Sequence, residues 1–182
     1  MNRRAALRLF IAAALPASGA LAHGAAPQKA FETIEIAAAP EKVWAVVGDF
    51  QDAGWLAGVV KFEGGEGNAP DRAWRRLTFA NGGTIDERLV QYDAAEMSLR
   101  YMIEHGDFDA LPVGNLSATL KVSPSPAGAR VEWKARFYRA FPGGNPPERF
   151  TDEVAIAAVS TYFKAGLAAL KVRVERPRGE RQ

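Results

Sequence analysis

The chain of 182 residues has no cysteine, which excludes disulfides and every metal site built on thiolates. It has only two histidines, His23 and His105, far apart in sequence, so no histidine cluster of metal-ligand spacing exists. Paired carboxylates such as Asp107 and Asp109, or Asp152 and Glu153, lack further ligands at calcium-loop spacing. Gly64-Gly65-Glu66-Gly67 does not precede a helix as a phosphate-binding loop would. No internal repeat or low-complexity block is present, and no nucleophile–base pair stands out. What remains is ordinary for one globular domain: 48% hydrophobic and 24% charged residues, enough to bury a substantial core.

The first 22 residues read as a secretory signal. Arg3, Arg4 and Arg8 supply a basic start, Leu9 to Leu15 a short apolar run, and Ala20-Leu21-Ala22 a cleavage site. The run is too short to span a bilayer, and no transmembrane segment is expected once it is removed. Arg3-Arg4 followed by Leu7 also resembles a twin-arginine signal, so the general and twin-arginine routes both stand. Either route predicts a periplasmic protein. Residues 23–29 form a leader, 30–172 one folded domain, and 173–182 a basic tail. If cleavage follows Ala22, His23 becomes an amino-terminal histidine able to chelate copper through its amine and ring, but no second histidine is placed to help. The full chain carries 23 basic and 21 acidic side chains. Loss of three arginines with the signal reverses that small excess, so the basic balance of the full chain is no sign of nucleic acid, and no nucleic-acid partner is expected.

Glu148 to Lys171 reads as one long helix, roughly 36 Å in length at 1.5 Å per residue. Ile156, Val159, Phe163, Leu167 and Leu170 fall three and four apart, on one face. Ala158, Tyr162, Ala165 and Ala169 form a second, mostly small stripe, against which a neighbour can approach closely or leave a space. Asn145-Pro146-Pro147-Glu148 offers a start signal, with Thr151 a second candidate cap.

Such a helix needs a large partner, and the upstream chain supplies strands. Phe31 to Ile36 alternates; Pro40 then opens a short helix, Glu41 to Gly48, and Asp49 to Ala57 reads as a second short helical piece. Six more strands follow: Val59–Glu63, Ala73–Phe79, Thr84–Tyr92, Met97–Glu104, Asn115–Val122 and Arg130–Tyr138. Asn81-Gly82-Gly83 is a hairpin signal, and such connections make the sheet antiparallel. Leu77, Ile85, Leu89, Leu99, Tyr101, Leu120, Val131, Trp133 and Phe137 share the inward parity, while Arg88, Arg100, Lys121, Lys134 and Arg136 point outward. A sheet with one apolar face must cover it. The expected fold is α+β: a seven-stranded antiparallel sheet curled around the long C-terminal helix, with two short helices after the first strand.

Two inward positions are charged. Arg75 has the parity of Leu77, and Glu87 that of Ile85 and Leu89. If Phe79 pairs with Ile85, Leu77 faces Glu87 and Arg75 lies diagonal to it; a next hairpin closing at Tyr92 and Glu96 puts Tyr101 opposite Glu87. Three readings stand: an internal ion pair that sets register, a polar patch for a bound small molecule, or acid–base catalysis by Glu87 or Tyr101. Trp133 from the last strand and Tyr162 from the small helix stripe complete the candidate ligand-binding set. No catalytic residue, metal ligand or cofactor is assigned. Trp74, an aromatic at an outward position between charged neighbours, is the candidate interface residue.

Ile34-Glu35-Ile36 through Pro40-Glu41-Lys42-Val43-Trp44, Arg75-Arg76-Leu77-Thr78, Gly82 to Leu89, Tyr92-Asp93 and the closing helix resemble the START-like, or SRPBCC, superfamily of helix-grip proteins. Leu111-Pro112-Val113 with Asn115, Val131-Glu132-Trp133-Lys134, Phe137-Tyr138-Arg139 and the Pro-rich loop Pro142 to Pro147 are similar to periplasmic methanol-oxidation accessory proteins of the MxaD type. The resemblance implies a non-enzymatic protein that assists electron transfer from a dehydrogenase to its cytochrome c. Other members of the superfamily imply two alternatives: a carrier for a small hydrophobic ligand, or a cyclase-like enzyme using the cavity.

Overall fold

The computed structural model describes residues 24–176. The signal segment, His23 and the last six residues of the tail lie outside them. Seven strands form one antiparallel sheet: β1 (Gln28–Ile36), β2 (Val59–Gly65), β3 (Trp74–Phe79), β4 (Thr84–Asp93), β5 (Ser98–Gly106), β6 (Val113–Ser125) and β7 (Gly128–Arg139). Their order across the sheet is β1-β7-β6-β5-β4-β3-β2, so the two strands flanking the first helix become its edges. That helix, α1, spans Pro40–Val47, and the long helix, α2, spans Asp152–Glu175.

The inward parity holds. Leu77, Ile85, Leu89, Leu99, Tyr101, Leu120, Val131, Trp133 and Phe137 are all buried, and α2 closes over them with Val159, Phe163, Leu167 and Leu170. The Trp133 and Phe163 rings stack with centroids 4.0 Å apart and planes within 8°. The chain thus forms the expected grip, a curved sheet around one helix.

Four expectations need correction. Asp49 to Ala57 is a series of turns, not a second helix. There Asp49 and Asp52 accept hydrogen bonds from the backbone N–H groups of Gln51 and Gly54, and the Asn68 side chain bonds Phe50 N and Gly48 O. These local bonds compete successfully with helical ones. The long helix starts at Asp152, not Glu148, and its cap is the second candidate, Thr151, which is extended and whose Oγ1 accepts from Val154 N, leaving Glu148–Phe150 as a separate 3-10 turn. Ile156 lies off the core face and is exposed, because the buried line runs through Ala155, Val159 and Phe163, about 100° away. Finally, α2 continues to Glu175, so Arg173 belongs to the helix rather than to a tail; it pairs with Asp52 at 2.5 Å.

The end of α2 is tied back to the start of the fold. Lys42 Nζ donates to Val174 O, Lys171 Nζ to Glu35 O, and Ala37 N to Glu175 Oε1, each at 2.7–2.8 Å. Two of these supply cations or donors where the helix dipole is negative. At the helix start, Arg139 at the end of β7 is buried and bonds Asp152 Oδ2, Phe141 O and Gly143 O, holding the Pro-rich loop against the first turn.

Gly166 is the one helix position where β7 comes too close for a side chain. A Cβ there would lie 2.9 Å from Cζ3 of Trp133, whose ring is fixed against Phe163. Gly166→Ala, which adds about 1 kcal/mol in an open helix, should here lower stability by about 1–3 kcal/mol in a urea denaturation series. A gain would show that the indole can shift without cost.

Candidate functional site

The interior of the grip is built from alternate residues of β3, β4, β5 and β7. Arg75 and Glu87 lie directly opposite each other on β3 and β4, not diagonally. The register differs by two residues, which preserves parity, because the Asn81-Gly82-Gly83 turn closes at Thr78 and Thr84: Gly82 adopts φ +85°, and Asn81 Oδ1 accepts from Gly83 N. Tyr101 opposes Leu89, and Ile103 opposes Glu87. The β4–β5 turn closes at Asp93 and Ser98 with Met97 at φ +46°, and the ladder carries irregularities between Leu89 and Gln91 and between Asp86 and Glu87. These features shift the expected pairing without changing which side chains face inward.

Arg75 Nε donates to Glu87 Oε2 at 2.6 Å, and Nη1 donates to Phe50 O at 3.0 Å. The two side chains are 5% and 1% exposed, so the pair is dry. The guanidinium carbon stands 4.4 Å from the centroid of the Phe50 ring and 5.7 Å from that of Tyr101. Burial works against the charge on Arg75, but Glu87 and the neighbouring phenols outweigh it and hold the guanidinium more firmly protonated. Burial pushes the Glu87 carboxyl above its usual range, against the pull of Arg75. A guanidinium does not lose its proton in a protein, and a neutral Glu87 would leave it unpaired, so the pair is ionised.

Tyr101 is buried beside this pair, and its hydroxyl accepts a hydrogen bond from Trp133 Nε1 at 3.1 Å. Burial, reinforced by Glu87, pushes the phenol well above its ordinary value, so it is not a base at neutral pH. Trp133 lies between Phe163, Trp55 and Tyr162 and is fully buried. The structure therefore brings Arg75, Glu87, Tyr101 and Trp133 together, as a packed and mutually engaged cluster.

Tyr162 sits differently. Its ring packs edge-on against Phe79, with centroids 5.8 Å apart, and lines a groove of about 640 Å³. The walls are Ala57 and Gly58 on one side, Ala110 and Leu111 on another, and Ala158 and Ala165 of α2 as the floor. The small stripe of the helix thus leaves a space. The Tyr162 hydroxyl is buried with no hydrogen-bond partner, and so is Trp55 Nε1. Burial, with Glu87 adding to it, pushes the Tyr162 phenol up, so it stays a neutral donor and acceptor. A larger depression of about 730 Å³ lies between Thr84 and Asn115. Most of its charged side chains are engaged, Arg76 by Asp86, Glu104 by Arg88, and Asp107 by the N–H and hydroxyl of Thr84.

Trp74 is on the outer face of the sheet, opposite Arg88, and is partly exposed. His105 is exposed at the end of β5. Among the described residues no group of three metal-ligating side chains comes together. Three contributors escaped the sequence reading: the Phe50 carbonyl and ring, Trp55, and Arg139. Arg139 has the inward parity of Phe137, a usable signal; Phe50 and Trp55 sit in turns, where no periodicity reports direction.

The family described as "Polyketide cyclase / dehydrase and lipid transport" matches residues 27–175, and the chain belongs to it. Within the wider SRPBCC class, the chain is similar to the solved structure of XoxI from Bacillus cereus, at 27% identity and a TM-score of 0.67, covering 80% of this chain and 94% of that one. A putative uncharacterized protein from Bacillus thuringiensis is 26% identical with a TM-score of 0.68, covering 82% and 100%. Norcoclaurine synthase from Thalictrum flavum shares the fold at 15% identity and a TM-score of 0.64, covering 85% and 97%. No curated protein matches the sequence.

Two substitutions separate packing from binding. Glu87→Ala should cost about 3–5 kcal/mol in chemical denaturation, because Arg75 is left buried and unpaired; a loss well under 1 kcal/mol would mean that water reaches the pair. Tyr162→Phe should leave stability unchanged or raise it by up to about 1 kcal/mol, since it removes a buried hydroxyl with no partner. A clear loss would reveal a partner for that hydroxyl in solution.

Proposed function

We propose that this protein is a non-enzymatic accessory of the MxaD type, exported to the periplasm, which assists electron transfer from a dehydrogenase to a cytochrome c in methanol oxidation. The observation that carries the reading is the state of the grip interior. The two interior groups at the centre of the cluster are each held by another side chain, Glu87 by Arg75 and Tyr101 by Trp133, and the Tyr162 phenol, though unpartnered, is kept neutral by burial. A general base must reach a substrate proton, and these groups face packed aromatic rings. The resemblance of the last strands and the Pro-rich loop to accessory proteins of that type supports the pathway, and the amino-terminal signal pattern supports the compartment. Trp74 supports a protein partner.

The groove beside Tyr162 favours a second reading, a carrier for a small, mostly apolar ligand with one polar group. Such a ligand would cover the apolar walls formed by Phe79, Leu111, the Tyr162 ring and the small residues of α2. Native mass spectrometry after gentle purification tests it: a copurifying small molecule supports the carrier, and protein that is free of one counts against it.

The accessory reading predicts that dehydrogenase-to-cytochrome electron transfer is faster with the protein present and that the gain shrinks as salt rises. Trp74→Ala should reduce the gain without unfolding the domain. An unchanged rate at low salt, together with turnover of an aromatic or polyketide-like substrate, would replace the accessory reading with an enzymatic one.

A further inference from the structure

The outer face of the sheet carries a pattern that the packing does not explain. The ladder aligns Trp74, Arg88, Met102, Ser117, Arg136 and Lys29 in one row from β3 to β1. The adjacent row is Gln91, Arg100, Thr119, Lys134 and Phe31. At about 4.8 Å between strands, the first row extends roughly 24 Å. Aromatic and Met side chains lie among the cations of the two rows: Phe31 is 53% exposed, Met102 41% and Trp74 39%. Lys134 Nζ stands 5.3 Å from the centroid of the Phe31 ring.

The charge on this face is organised. Toward β3 and β4 the arginines are neutralised, Arg76 by Asp86 and Arg88 by Glu104. Toward β1 they are not. Among the described residues no carboxylate lies within 4.0 Å of Lys29, Arg100 or Arg136, and Lys134 reaches only Glu132 at 3.7 Å. The chain as a whole is nearly balanced, with 23 basic and 21 acidic side chains, so this is a local concentration. Ser117 and Thr119 lie between the cations and keep the middle of the patch low.

We infer that the outer face of β1, β7, β6 and β5, continued to Trp74, is a docking surface for an acidic protein. Exposed Arg, Met and aromatic side chains around one shallow depression, of about 550 Å³ between Phe31, Arg100, Lys134 and Arg136, are the residue types enriched at interface centres, and the unpaired cations select a negatively charged counterpart. Two rows of this length match a small, transient contact rather than a permanent one. Nucleic acid is disfavoured by the near-neutral chain, and a membrane by the mixing of apolar and hydroxyl groups along each row. The inference rests on the accessory reading and deepens it by naming the surface and the charge of the partner.

The test measures binding of the purified dehydrogenase and cytochrome c of the source organism, separately, at low and high salt. Three forms are compared: the unaltered protein, Arg100→Glu with Arg136→Glu, and Arg100→Lys with Arg136→Lys. Both arginines are exposed, so circular dichroism should show all three folded. The expected result is salt-sensitive binding to one of the two proteins, weakened about tenfold or more by the Glu pair, mainly through slower association, and retained by the Lys pair. Undiminished binding of the Glu pair overturns this surface while leaving the accessory reading in place. Binding to neither protein overturns both. Stronger binding to vesicles of anionic lipid, or to duplex DNA, abolished by the same Glu pair, rejects an acidic protein as the occupant.

Discussion

The structure depends on α2 filling the hollow of the sheet. A strongly curved seven-stranded sheet exposes a continuous apolar face, and no other element in the described chain is long enough to cover it. The stack of Phe163 on Trp133, at 4.0 Å, sets the depth to which the helix sinks. Gly166 allows the close approach, and the tethers from Lys42, Lys171 and Glu175 fix where the helix ends. Arg139 fixes where it begins. The course of α2 is thus determined at both ends by polar contacts and in the middle by aromatic packing.

The buried Arg75–Glu87 pair is the expensive feature of this arrangement. Removing two charges from water costs several kcal/mol each, and a single 2.6 Å bond with one backbone acceptor offsets only part of that. The Phe50 and Tyr101 rings against the guanidinium offset more. What the pair supplies is registry: Arg75 and Glu87 meet as directly opposite residues, and a slip of β3 against β4 that separated them would bury two unmatched charges. That is a structural role.

The two faces of the sheet therefore divide the work. The inner face is consumed by packing, except where the small residues of α2 leave a groove beside Tyr162. The outer face owes nothing to the core and is free to vary, yet it carries aligned rows of cations and exposed apolar groups. The interior of the grip is occupied largely by the protein's own aromatic rings.

Much of this was legible in the residue order. Alternation assigned Arg75, Glu87, Tyr101 and Trp133 to the interior, and Arg100, Lys134, Arg136 and Trp74 to the exterior, because side chains on a strand alternate whatever its neighbours do. The three- and four-residue spacing of Val159, Phe163, Leu167 and Leu170 marked the core face of the helix for the same reason. Register was decided only in three dimensions. Met97 in a left-handed conformation and the irregularity after Leu89 changed which residue Tyr101 opposes, and neither feature has a signature in the local pattern. The same holds for Phe50 and Trp55, which turns direct inward without periodicity. Parity is a property of one strand, and the sequence carries it. Which residues meet depends on turns and bulges shared between strands, and these depend on the packing that the completed fold provides.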